Sequence, residues 1–62
     1  MIICKVSDTE NQRTIEATFN GVEPFVVITV INKMDGTEIY LALSKEDAIY
    51  FSKELKKVAD KI

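Results

Sequence analysis

Histidine and tryptophan are absent from this sequence, and cysteine and proline each occur once. The absence of histidine removes the commonest general base and one of the commonest zinc ligands. A single cysteine cannot form a disulfide within the chain, which favours a reducing compartment. Because Cys4 lies in an apolar segment, we expect it to be a small buried residue and not a reactive thiol.

The sequence also lacks the motifs with which enzymes hold substrates and cofactors. Its two glycines belong to no phosphate-binding loop of the GxGxxG or GxxxxGK type. Ser7, Ser44 and Ser52 have no histidine that could activate them as nucleophiles. We therefore predict a protein that is not an enzyme and that holds no cofactor and no metal ion.

The charge of the chain is small and negative. Ten acidic and eight basic residues give a formal net charge of −2, which provides no general attraction to nucleic acid or to anionic lipid. No apolar run approaches the length of a membrane span, and the opening segment, MIICKVSD, is too short for a signal-peptide core. The 62 residues predict one domain, residues 1–62, and we expect it in the cytoplasm, without a membrane partner.

Four segments with strand character are separated by turn-forming residues. The second segment alternates with a clean period of two, so that Thr14, Glu16 and Thr18 are expected to face water. An Asn-Gly and an Asp-Gly dipeptide mark two of the turns, because these residues tolerate a positive φ. The predicted strands are about Ile2–Ser7, Arg13–Phe19, Phe25–Asn32 and Glu38–Leu43.

A helix is predicted directly after the fourth strand. Ser44 is placed to cap its N-terminus, and no residue from Lys45 to about Lys61 breaks it. The apolar stripe of this helix comprises Ala48, Phe51, Ser52, Leu55, Val58, Ala59 and Ile62. The predicted fold class is therefore α+β, a four-stranded antiparallel β-meander followed by one C-terminal α-helix packed on one face.

The third strand, FVVITVIN, is apolar on both of its sides. One helix is about 10 Å across and strands lie about 4.8 Å apart, so the helix covers two strands and part of a third on one side only. The sequence leaves open which of the two sides the helix covers. If it covers the side of Val26, Ile28 and Val30, the opposite side needs another molecule to cover it. The residues expected on that side are Phe25, Val27, Ile31, Ile3 and Tyr40.

A second copy of the chain is the simplest cover, because twofold dimers are the commonest oligomers. We therefore predict a homodimer whose interface contains those five residues. Two alternatives stay open. In one, sheet twist and long side chains hide the patch in a monomer. In the other, a different protein covers it, as in an antitoxin or another subunit of a larger complex.

Charged residues offer two further candidate surfaces. Acidic side chains in the loops and strands predict a surface for a partner protein, made of Asp8, Glu10, Glu16 and Glu23. The polar side of the helix is interpreted as an ordinary solvated surface. The alternative is a single-stranded nucleic acid binding surface. Its residues would be Arg13, Lys33, Tyr50, Lys53, Lys57 and Lys61.

Four strands followed by a helix that reads LALSKEDAIYFSKELKKVADKI resemble two groups of proteins. One group is the PC4-like single-stranded nucleic acid binding proteins, which are homodimers of a curved sheet with a C-terminal helix. This resemblance implies contacts to nucleic acid from the second and third strands, where Arg13, Phe19 and Phe25 are the candidates.

The other group is the small, acidic, phage-encoded proteins that inhibit bacterial defence systems, such as the anti-CRISPR proteins and the short Hachiman anti-defence protein. The chain is similar to them in size, acidity and element order. This resemblance implies an inhibitor that binds a host defence protein.

Overall fold

A computed structural model describes residues 2–62, with the backbone alone for Ile2. Its elements are β1 (Ile2–Asp8), β2 (Arg13–Phe19), β3 (Phe25–Asn32), β4 (Glu38–Ser44) and α1 (Lys45–Ala59). The strands form one antiparallel sheet in the order β1-β2-β3-β4. The predicted α+β meander with a C-terminal helix is confirmed.

Short polar side chains hold the first two turns. Asp8 accepts hydrogen bonds from the backbone N–H and the side-chain amide of Asn11, at 3.3 and 2.8 Å. Asn20 accepts hydrogen bonds from the N–H groups of Val22 and Glu23, at 2.9 and 3.1 Å. These side chains replace backbone partners that the turns lack, so the strands meet in a defined register.

The helix begins without a loop after β4. The Oγ of Ser44 accepts a hydrogen bond of 3.1 Å from the N–H of Asp47, which caps the first turn. Ser44 is also the last residue of β4, an edge strand. The start of α1 is therefore fixed at one corner of the sheet.

The strand register separates the side chains of the sheet into two sets. The side on which α1 lies, called the helix face below, is apolar except for one row at its end, Asp8–Arg13–Asn32. Its apolar members are Cys4, Val6, Ile15, Ala17, Phe19, Val26, Ile28, Val30, Ile39, Leu41 and Leu43. The opposite side, called the far face, mixes apolar side chains with threonine and charge. Its members are Ile3, Lys5, Ser7, Thr14, Glu16, Thr18, Phe25, Val27, Thr29, Ile31, Glu38, Tyr40 and Ala42.

The helix covers little of the helix face. It approaches β3 and β4, but within residues 2–62 none of its Cα atoms lies within 8 Å of a Cα atom of β1 or β2. Four strands span about 14 Å across the sheet, whereas the chain extends 33 × 32 × 16 Å. The helix therefore extends beyond the sheet. The sequence predicted that the helix covers two strands and part of a third. In the structure it lies near β3 and β4 only, so β1 and β2 stay uncovered.

Residues 3–62 form no apolar core in the isolated subunit. No apolar side chain among residues 3–62 is buried, and Phe51, Leu55 and Val58 of α1 remain 47%, 54% and 65% exposed. Cys4 is exposed as well, so the prediction that it is a buried residue is wrong for the single chain. The physical reason is that β1 has no neighbour above it on the helix face.

Two threonines are the most buried residues instead. Thr14 is 2% exposed and Thr29 is 8% exposed, both on the far face. The prediction that Thr14 faces water is therefore wrong. Its register neighbours Ser7 and Ile31 flank it, and its Oγ1 lies 3.4 Å from the Oγ of Ser7. A short side chain in the middle of a sheet is shielded by the longer ones around it, even without a second layer.

The solvent-accessible surface area and the radius of gyration of the chain are both large for its size, as expected for loose packing. A compact protein of 7.0 kDa exposes roughly 4,000 Å², whereas this chain exposes 5307 Å². Its radius of gyration is 12.8 Å, which a compact protein reaches only at about 100 residues. The subunit therefore carries roughly 1,300 Å² of surface that a self-contained fold of its size would bury.

Candidate interaction surfaces

A groove separates α1 from the uncovered strands of the helix face. Its volume is about 290 Å³, and Ser52 supplies the only hydroxyl among its lining side chains. The sheet contributes Cys4, Val6, Ile15, Ala17, Val26, Ile28 and Leu43, and the helix contributes Ala48, Phe51, Ser52 and Leu55. The groove is open to solvent and has no charged lining residue, so its chemistry suits another apolar surface.

A second apolar hollow lies at the N-terminal end of α1. It measures about 400 Å³ and brings Ile49 together with Phe19, Pro24, Phe25 and Val26. Ile49 is absent from the apolar stripe predicted from the sequence. Its signal in the sequence is a large apolar residue that lies among charged ones. The hollow extends the apolar surface of the helix face to the end of the sheet.

The far face carries a hollow of about 400 Å³ with a different character. Apolar and aromatic side chains line part of it, namely Phe25, Val27, Ile31, Tyr40 and Ala42. Three carboxylates, from Glu16, Glu23 and Glu38, line it as well. Threonine and asparagine side chains complete the lining. This combination offers apolar contact together with negative charge, which suits a partner that presents Lys or Arg beside apolar groups.

Two local interactions set the electrostatics of this hollow. The Nζ of Lys5 lies 3.6 Å from a carboxylate oxygen of Glu16, and this pair is partly exposed. The hydroxyl of Tyr40 donates a hydrogen bond to the carboxylate of Glu38. That hydrogen bond and the adjacent negative charge raise the pKa of Tyr40. Tyr40 therefore keeps its proton across the neutral range.

The five residues predicted for the dimer interface share one face. Phe25, Val27, Ile31 and Tyr40 line the far-face hollow, and Ile3 joins their face through the row Ile3–Thr18–Val27–Ala42. Their contact with a second copy stays a prediction. The helix face exposes more apolar surface than this face, because threonine and glutamate interrupt the far face.

No protein-family model matches the chain, no curated protein sequence is significantly similar to it, and no solved structure matches its fold significantly. The two family resemblances therefore stay predictions.

The four acidic residues predicted to bind a partner fall into two groups. Glu16 and Glu23 line the far-face hollow, where Glu38 joins them. Asp8 and Glu10 lie at the end of β1 and in the turn before β2. Hydrogen bonds from Asn11 lower the pKa of Asp8, which shows that its carboxylate is occupied in holding the turn.

The basic residues of the nucleic acid alternative are also divided. Lys57 pairs with Glu54 at 3.2 Å on the helix, and the neighbouring Lys56 pairs with Asp60 at 3.0 Å. These exposed pairs reduce the positive field of the helix surface. Arg13 and Lys33 line a separate hollow of about 210 Å³, which Asp8 also lines. The field of this basic group is therefore partly neutralised by acidic neighbours.

Residues 2–62 contain no group of three or more His, Cys, Asp or Glu side chains placed to hold a metal ion. Within the same residues, α1 lacks the length and the apolar character needed to cross a membrane.

Proposed function

We propose that this chain is a non-enzymatic protein-interaction module that works as a homodimer. The observation that carries the proposal is the uncovered apolar surface of the subunit, which buries no apolar side chain in residues 3–62. Burial of apolar surface is the main driving force for folding. A subunit that exposes roughly 1,300 Å² too much needs a partner that restores this driving force.

A second copy supplies the area that is needed. If each subunit buries its excess surface, the interface totals roughly 2,600 Å², which lies within the roughly 2,000–5,000 Å² of obligate homodimers. In such a dimer the helix faces of the two subunits cover each other, so both far faces stay exposed to solvent. We place the partner site in the far-face hollow, with Glu16, Glu23 and Glu38 as its charged groups.

The partner that fits this hollow is a protein segment with Lys or Arg beside apolar residues. The resemblance to phage-encoded inhibitors supports a host defence protein as its source. Proteins that act on nucleic acid contact phosphates through Lys and Arg. A protein whose hollow is lined with carboxylates can bind such a basic surface and so prevent nucleic acid from binding there.

The dimer is tested by its mass and by its unfolding. Light scattering at micromolar concentration is expected to give twice the 7.0 kDa of the chain. The midpoint of thermal unfolding is expected to rise with protein concentration, because dissociation accompanies unfolding. A mass of one chain with a midpoint that does not depend on concentration would overturn the homodimer.

The partner site is tested by calorimetric titration with a short synthetic peptide that alternates lysine and leucine. We expect the double variant Glu23→Gln, Glu38→Gln to weaken binding by about tenfold, because two charge-assisted contacts are lost. The matched control is Glu10→Gln with Glu46→Gln, which removes the same charge elsewhere. It is expected to weaken binding by about twofold or less, because solvent and salt screen distant charges.

An equal loss in both double variants would show that binding follows net charge alone, and would overturn the site. Oligothymidine serves as the competing ligand in the same titration. Binding of oligothymidine that falls steeply with salt would favour the nucleic acid alternative. We expect no binding of oligothymidine.

A further inference from the structure

The uncovered strands and the uncovered helix stripe are complementary surfaces within one chain, but they do not meet. On the sheet, β1 and β2 present Cys4, Val6 and Ile15 to the groove. On the helix, Phe51 and Leu55 line the same groove and stay about half exposed. No Cα atom of α1 comes within 8 Å of β1 or β2 in residues 2–62. The space between them is therefore open to another element.

We propose that the helix of each subunit packs on β1 and β2 of the other subunit, so that each chain fills the groove of its partner. This arrangement is called the helix exchange below, and the dimer that it forms is called the closed dimer. This inference rests on the homodimer proposed above and specifies how it is built. A twofold axis presents the same surfaces twice. The exposed helix stripe of each chain can therefore contact the exposed strands β1 and β2 of the other, and both contacts form at once.

The dimensions support a helix as the occupant. The sheet has four strands, and one helix covers about two of them. The chain's own helix approaches β3 and β4, which leaves two strands for one further helix. The partner's α1 has the required apolar stripe. Its opposite side carries Tyr50, Lys53 and Lys57, which would remain in water.

The chemistry of the groove disfavours a polar or charged occupant. Its lining has no charged side chain and a single hydroxyl, from Ser52, whose Oγ donates to the carbonyl of Ile49 at 2.7 Å. A polar or charged segment buried there would lose hydrogen bonds to water without replacement. An apolar helix loses none, because its backbone groups are paired within the helix.

The test is a disulfide between the native Cys4 on β1 and a thiol introduced by Ser52→Cys on α1. A disulfide needs Cα atoms about 4.4–6.8 Å apart, and the two positions on one chain are more than 8 Å apart. Mild oxidation is therefore expected to give a product of twice the 7.0 kDa chain mass. Peptide mapping should then show that Cys4 is linked to position 52 of the other chain.

Two controls accompany this variant. Tyr50→Cys places a thiol on the opposite side of the same helix and should give no link to Cys4. Ser52→Cys combined with Cys4→Ser should lose the mixed link. Isotope-filtered NMR on a dimer of labelled and unlabelled chains is an independent measurement, in which side-chain protons of Phe51 are expected to contact those of Val6 across the interface.

The outcomes separate this inference from the homodimer itself. A protein with the mass of one chain overturns both. A dimer whose only link joins two copies of Cys4 indicates pairing between edge strands β1, and overturns the helix exchange alone. A dimer with neither a mixed link nor contacts from Phe51 to the partner's sheet also overturns the exchange and leaves the homodimer standing.

Discussion

Val30→Lys is expected to dissociate the dimer, whereas Ile31→Lys, one residue further along β3, is expected to leave it assembled. The two residues are aliphatic and β-branched, and they point to opposite sides of the sheet. Val30 lies between Ile15 and Ile39 on the helix face. A lysine ammonium placed there in the closed dimer leaves water, and the carboxylate in the same hollow, that of Asp8, already accepts two hydrogen bonds from Asn11.

Ile31 lies on the far face directly opposite Glu38 of β4. A lysine at this position stays near solvent and pairs with the glutamate, which makes Ile31→Lys a matched control with the same change of charge. An unpaired buried ammonium costs several kcal/mol, so Val30→Lys should raise the dissociation constant by more than about 100-fold. Sedimentation measures the assembly, and circular dichroism shows whether the strands and helix persist.

The reverse result would place the interface on the far face. If Ile31→Lys dissociates the protein and Val30→Lys does not, the interface contains the residues chosen from the sequence, around Phe25 and Val27. The helix exchange would then be wrong, although the protein would still be a homodimer. A loss of assembly in Val30→Lys alone has no explanation in a far-face dimer, because its side chain lies on the other side of the sheet.

The elements of this fold were predictable because local signals determine them. Ser44 caps α1 with its own hydroxyl, and Asn20 holds its turn with its own side-chain oxygen. Such interactions span three residues or fewer, so the sequence alone contains them. The strand order followed from short loops, which leave consecutive strands few alternatives to pairing.

The distribution of burial was not predictable in the same way. Apolar periodicity shows which side chains favour burial, but it does not show which molecule buries them. Cys4 and Ile15 carry the expected pattern and are nevertheless exposed in the single chain. Thr14 was expected in water but is shielded by its neighbours along the row.

The far-face hollow was predictable only in part. Glu16 and Glu23 were chosen because acidic residues concentrate in the strand half of the chain. Glu38 was missed, because its position beside Ile31 depends on the register between β3 and β4. A count of charges along the sequence does not contain that register, whereas the turn between the two strands fixes it.

Leu55→Ala is expected to destabilise the protein far more than Leu55 could contribute in a single chain. This side chain is 54% exposed in the isolated subunit. At that exposure, its removal should cost about 1 kcal/mol. If Leu55 is buried against the partner's sheet, the same change creates a cavity and costs about 2–5 kcal/mol per subunit. Alanine has the highest helix propensity, so the helix itself is not weakened.

Tyr50→Ala on the same helix provides the comparison. Tyr50 lies on the polar side and is 65% exposed, so its replacement should change the free energy of unfolding by about 0.5 kcal/mol or less. Chemical denaturation of both variants at one fixed protein concentration measures the difference. A cost for Leu55→Ala below about 1 kcal/mol, close to that of Tyr50→Ala, would mean that nothing covers the helix stripe in solution. The stripe would then be free for a different protein, since an apolar surface of this extent seldom stays uncovered.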